Sequence, residues 1–198
     1  MNDLQKMSPT ELKSCSILAS VYGLRMLGMF LILPIFAIYA NNLDSNPTSL
    51  QIGLALGIYG LTQAIFQIPF GMSSDYFGRK KVIYFGLLLF IIGSLMAGYS
   101  TSIEGIILGR SIQGSGAISA VLTALLADIT REDQRTKAMA IVGASIGLTF
   151  ALSLVLSPWL NDVIGVNGIF ILMAILSFTA FLLVYFFIKE PEIRKEKT

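Results

Sequence analysis

Long apolar stretches alternate with short polar connectors along almost the whole chain, at residues 16–40, 50–70, 82–99, 103–127, 138–160 and 169–188. Each approaches the roughly 20 mostly apolar residues that a helix needs to cross the hydrocarbon core of a bilayer. None alternates with period two, so barrel strands are not indicated. The pattern predicts an all-α polytopic membrane protein with six transmembrane helices over 16–188. Residues 1–15 read as a polar cytoplasmic arm, and 189–198 as the start of a cytoplasmic central linker or tail. The arm carries Asp3, Lys6, Glu11 and Lys13, and the first apolar run is too long for a signal-peptide core. That span is expected to be retained.

Composition supports the same class. Of the 198 residues 55% are hydrophobic and 13% charged, against about 25% charged in soluble domains. The surface therefore needs a lipid bilayer as its partner. A net charge of +2 gives no reason to expect a nucleic acid. With no His and a single Cys, Cys15, there is no His/Cys metal site, no intramolecular disulfide and no imidazole base. No nucleophile–base pair falls within a span, which argues against an enzyme.

Charge is distributed unevenly. Lys6, Lys13, Arg79, Lys80, Lys81, Arg131, Arg135, Lys137, Lys189, Arg194, Lys195 and Lys197 all fall on one side of the predicted spans. The opposite connectors, 41–49, 100–102 and 161–168, hold no Lys or Arg but contain Asp44 and Asp162, with Glu104 close by. By the positive-inside rule both termini are cytoplasmic.

The two remaining basic residues, Arg25 and Arg110, lie inside spans, where ionisable groups are costly and mark a pathway or a buried partner. Arg25 lies roughly 15 Å into its span. Arg110 precedes Asp128 by five helical turns, roughly 27 Å, which forbids a direct pair and suits one face lining a route. Gln113 and Gly114 share that face. Tyr59, Gln63 and Gln67 form a polar stripe with a four-residue repeat on the second span. Two roles stay open for these groups: lining a substrate or proton route, or hydrogen-bonding neighbouring spans. Glycine pairs with four-residue spacing, Gly53/Gly57, Gly105/Gly109 and Gly143/Gly147, predict close helix packing.

The connector after the second span has a more specific pattern. Gly71 permits close helix contact, Gly78 a tight turn, and Asp75 can face a helix N-terminus. Arg79 offers a fork for a second carboxylate, and Lys80 and Lys81 suit an anionic leaflet. This GxxxDxxGRKK run resembles the signature loop of the major facilitator superfamily. Arg110, Gln113, Gly114 and Gly116 resemble the RxxQGxG pattern in the fourth span of its proton-coupled drug exporters, and Leu27-Gly28 followed by Pro34 resembles their first-span motif.

The resemblance implies the N-terminal half of that fold, a 3+3 inverted repeat in a bacterial inner membrane. It implies a cytoplasmic latch built from Gly71, Asp75, Gly78, Arg79, Lys80 and Asp128. In that latch Arg79 pairs with an acid at the end of the fourth span, where Asp128 stands, and Asp75 meets a second half. Arg25, Tyr59, Gln63, Gln67, Arg110, Gln113 and Gly114 become candidates for a substrate or proton pathway. The implied activity is proton-coupled efflux of small, drug-like molecules by alternating access, with a proton gradient and no cofactor. The sequence departs from the family in three respects. It has six spans where twelve are usual, so a missing six-helix half or a second copy is an expected partner. Its fifth-span motif is partial, ending Ser157-Pro158-Trp159, and no Asp or Glu lies near a midplane. Two buried arginines without acids also suit an anionic-solute exchanger. The six-span stop suits a truncated or assembly protein.

Overall fold

A computed structural model describes residues 7–41, 43 and 47–188. The predicted segment 189–198 and the first part of the arm lie outside those residues. The described chain is helical with short breaks: α1 Pro9–Ile32, α2 Phe36–Asn41, α3 Ser49–Phe77, α4 Arg79–Tyr99, α5 Ile103–Ser115, α6 Ser119–Asp128 and α7 Arg135–Phe187, with a 3-10 turn at Glu132–Gln134. The helices from Pro9, Ser49 and Arg79, and the one that closes the bundle, are long and apolar enough to cross a membrane.

Local chemistry moves several predicted boundaries. The first helix begins at Pro9 and not at residue 16, so part of the expected arm is helical. There Ser8 and Glu11 form a reciprocal capping box with Pro at the first turn. The same span does not run unbroken to residue 40. It turns at 33–35, where Pro34 lacks an N–H and obstructs the preceding turn. The second span continues as helix to Phe77, so Gly71 and Asp75 sit on the last turns of α3 and not in a loop. Only Gly78, at φ 97°, leaves the helical path before α4 starts.

The predicted fourth span, 103–127, is divided. Gly116 leaves helical geometry at φ −74°, ψ 54°, and the Ile118 amide donates back to the Gly116 carbonyl at 2.9 Å. Conversely, the expected polar connector at 161–168 is almost wholly helical. The arms 135–164 and 166–187 of α7 join at a single non-helical residue, Gly165, with φ 66° and ψ 174°. Positive φ carries no steric cost for glycine, so one residue redirects the chain.

Two apolar clusters stack along the bundle. One, at the basic end, includes Leu18, Ile83, Leu87, Val121, Leu125 and Val184. The other includes Leu31, Phe36, Ala55, Phe90, Ile106 and Phe170. α1 packs on α7, α5 packs on both α3 and α4, and α4 also packs on α7.

Glycine packing departs from expectation. A Cβ on Gly109 would approach the Gly93 carbonyl and the Ala97 amide to 2.7 Å, so this residue is a true close contact between α4 and α5. Gly105 instead abuts the Ser100 hydroxyl in its own connector. A Cβ on Gly53, Gly57, Gly143 or Gly147 would meet nothing within 4 Å. Two of the three predicted pairs therefore do not pack inside this bundle.

Candidate functional site

At the basic end, three helix termini meet around one guanidinium. Gly78 lets α3 pass into α4 without a connector, which puts Arg79 beside the last turn of α3. Arg79 Nη1 contacts Asp75 Oδ1 in an i,i+4 pair and donates to Ser74 Oγ at 2.6 Å. Its Nε donates to Asp128 Oδ2 at 3.0 Å, at the end of α6. A cation at a helix N-terminus opposes the dipole, and the two carboxylates offset that. Gly71 faces α6, where a Cβ would lie 3.9 Å from Ala120 Cβ. Lys80 turns away from this cluster: Nζ donates to the Ile188 carbonyl at 2.6 Å and lies 5.8 Å from the Tyr84 ring centroid.

A neighbouring pair was not foreseen. Arg131 Nε donates to Glu11 Oε1 at 3.1 Å, tying the start of α1 to the chain after α6. The Ser8 backbone N–H and the Arg131 side chain hold the Glu11 carboxyl down at about 2, well below its usual 4.5. The capping-box spacing of Ser8 and Glu11 was the available signal. Nothing in the sequence pointed to Arg131.

Deeper in the bundle, Arg25 on α1 straddles the break in the fourth span. Its Nη2 donates to the Gly116 carbonyl and its Nη1 to Ser119 Oγ, both at 2.9 Å. Gln63 Nε2 on α3 donates to the same Ser119 Oγ at 3.4 Å. The Tyr22 hydroxyl donates to the Ser119 carbonyl. Ser119 thus collects one group from α3 and two from α1, a convergence that no spacing in the sequence announces.

Arg110 is buried and does not share an open face with Asp128, because the break at 116–118 intervenes and Asp128 is exposed at the bundle end. Its Nε donates to the Ala55 carbonyl of α3 at 2.6 Å. Its guanidinium lies 5.4 Å from the Tyr59 ring centroid. Gly114 faces α3, where a Cβ would collide with the Tyr59 carbonyl and the Thr62 hydroxyl. Gln113 points instead to α4 and donates to Ser94 Oγ at 2.7 Å. The glutamine stripe also separates: Tyr59 is buried, Gln63 half-buried and Gln67 exposed. Within this group of candidate residues, four buried polar atoms have no partner among the described residues: Arg25 Nε, Tyr59 Oη, Arg110 Nη1 and Gln113 Oε1. Beside α1, a groove of about 350 Å³ runs along α7 and is lined by Ser16, Ser20, Gly23, Ser145, Leu148 and Thr149.

The chain and its fold are similar to known proteins. The family model for the Major Facilitator Superfamily matches residues 18–198. The chain is 52% identical over 179 residues to the inner membrane transport protein YajR of Escherichia coli strain K12, covering 90% of this chain and 39% of that protein. It is 29% identical over 174 residues to the class B tetracycline resistance protein of Escherichia coli, covering 87% and 43%. Among solved structures, the human organic anion transporter MFSD10 superposes with a TM-score of 0.76 at 19% identity, covering 93% of this chain and 49% of that one. The chain spans less than half the length of these curated relatives. With the match extending over most of its residues, the chain belongs to the major facilitator superfamily, a family of transporters and not of enzymes.

Proposed function

We propose that this chain forms one six-helix half of a secondary active transporter that exports small, drug-like molecules in exchange for protons by alternating access. A second six-helix half or a second copy completes the substrate site. The proton gradient drives the cycle, no cofactor is bound, and both termini lie in the cytoplasm at the inner membrane. The observation that carries the reading is Arg79 held at once by Asp75 and Asp128. One such cluster joins α3, α4 and α6 at the end that must open and close.

The packing supports six crossings in a 3+3 repeat. The first span meets the 135–164 arm, where Ser157 Oγ donates to the Leu31 carbonyl at 2.5 Å, as the fourth meets the second through Arg110. The first also meets the 166–187 arm, where a Cβ on Gly28 would crowd Met173, as the fourth meets the third at Gly109. Each central span is broken, at Pro34 and at Gly116, and each buries one arginine. In this arrangement Arg25, Gln63, Gln67 and Arg110 flank the route, and the tetracycline resistance relative favours efflux of an organic molecule.

Reconstituted vesicles with an internal pH dye test the proposal. Addition of tetracycline-like or lipophilic cationic compounds should move protons against substrate, and Arg79→Ala should cut that movement several-fold with insertion unchanged. Substrate flux without proton movement would overturn the coupling, and full flux in Arg79→Ala would overturn the latch. A second reading, exchange of an anionic solute, is favoured by the unpartnered N–H groups on both buried arginines. Competition by organic anions, and not by lipophilic cations, would select it.

A further inference from the structure

A separate feature flanks the charge cluster. Between α3 and α4, near their junction, a groove of about 390 Å³ is lined by Phe70, Ser73, Phe77, Lys81, Val82 and Phe85. The Phe70 and Phe85 rings stack with centroids 6.0 Å apart. Phe77 and Phe85 are 60% and 58% exposed, so the aromatic wall faces outward. Apart from the Ser73 hydroxyl, the one polar group at the rim is the Lys81 ammonium.

Lys81 differs from the two basic residues before it. Arg79 is engaged by Asp75, Ser74 and Asp128, and Lys80 by the Ile188 carbonyl and the Tyr84 ring. Among the described residues Lys81 has no ion pair and no hydrogen bond. A lysine at the end of an apolar span extends its ammonium to the headgroup layer and lays its stem along apolar surface. An outward aromatic slot with a free cation at that level is complementary to a molecule with an apolar tail and an anionic head. A small soluble anion would gain nothing from the rings, and a neutral tail would gain nothing from the lysine.

We propose that the groove holds an anionic phospholipid, its acyl chain against Phe70, Phe77, Val82 and Phe85 and its phosphate on Lys81. The site is independent of the transported substrate, and it keeps lysine and slot at the basic end of the bundle, where anionic lipids meet juxtamembrane cations.

The test places photoreactive benzoylphenylalanine at position 85 in the full-length transporter, in vesicles of equimolar phosphatidylglycerol and phosphatidylcholine. After illumination, lipid adducts are identified by mass. The phosphatidylglycerol adduct should exceed the phosphatidylcholine adduct about fivefold, the selectivity of one lysine at an anionic surface. Lys81→Gln should bring the ratio near one, and Lys81→Arg should restore it. Equal adducts before any change at Lys81 would show a slot without headgroup selection and overturn the proposal. Adducts to protein alone would show that another helix covers the groove, and would overturn it as well.

Discussion

The Tyr59 ring meets the Phe90 ring edge-on, with centroids 6.2 Å apart and planes at 88°. Each ring carries an arginine on another side: Arg110 lies 5.4 Å from Tyr59, and Arg25 lies 5.5 Å from Phe90. The column joins α1, α3, α4 and α5 through the middle of the bundle. Two buried guanidinium groups with no carboxylate partner among the described residues are an expensive arrangement. Ring faces and backbone carbonyls supply the negative potential that acids supply elsewhere.

Phe90→Leu should therefore cost more than an ordinary core truncation. Loss of the Arg25 contact and the aromatic pair predicts about 2–3 kcal/mol by unfolding in mild detergent. Tyr59→Phe removes a hydroxyl that has no partner among the described residues and should leave stability unchanged or slightly raised. If Tyr59→Phe keeps its stability and loses flux, the hydroxyl serves transport. If it loses stability, a partner for the hydroxyl exists outside the described residues.

Glycine substitutions should sort by what lies opposite. Gly114→Ala drives a methyl into the Tyr59 carbonyl and should prevent native packing of α5 on α3, read as loss of a monodisperse folded species. Gly57→Ala and Gly143→Ala face open space and should change stability by less than about 1 kcal/mol, on the favourable side from helix propensity. If either nevertheless abolishes transport without loss of folding, the open face docks a partner half.

The Arg79 cluster is partly solvated, with Asp75 and Asp128 side chains 66% and 40% exposed. Exposed ion pairs contribute about 1 kcal/mol or less, so Arg79→Ala and Asp128→Asn should barely shift the unfolding midpoint while cutting flux several-fold. Exchanging the charges, Arg79→Asp with Asp128→Arg, should recover part of the flux. Equal loss in stability and flux would reduce the cluster to a structural staple.

Glu11 gives a pH-dependent prediction. Its carboxyl titrates at about 2 in the folded chain against 4.5 ordinarily. A depressed folded value means that the stability it contributes is complete above 4.5 and is lost as pH falls through about 2. Glu11→Gln should therefore lower the unfolding temperature at pH 7, and the gap to the parent should narrow below pH 4.5 and close near pH 2. A gap independent of pH would assign the effect to the capping geometry and not to charge.

How much of this was legible beforehand differs by element. Apolar runs of membrane length established the helical class, because a backbone in hydrocarbon must satisfy its own hydrogen bonds. The position of Gly78 marked the tight passage into α4, and the buried arginines stood out as the only cations within spans. Periodicity could not show that the fourth span breaks at 116–118, since Gly116, Ala117 and Ile118 interrupt no apolar pattern. Nor could the polar residues of 161–168 reveal a helix, because the partners that hold it are distant in sequence: the Tyr39 hydroxyl of α2 donates to Asn167 Oδ1 at 2.6 Å, and Gly98 of α4 lies against the Asn167 carbonyl.

Apolar run length and charge placement are enough to mark a helical membrane protein with a basic end, two arginines at depth and an acid-bearing turn beside Arg79. Helix packing alone brings Arg25, Gln63 and Tyr22 together on Ser119, takes Gln113 off the face of Arg110, and has Gly109 pack while Gly57 and Gly143 do not. The reason lies in the solvent. In water an apolar residue declares which side of a helix is inward, but lipid is as apolar as the core, so hydrophobicity marks the spans and says little about which face meets which neighbour.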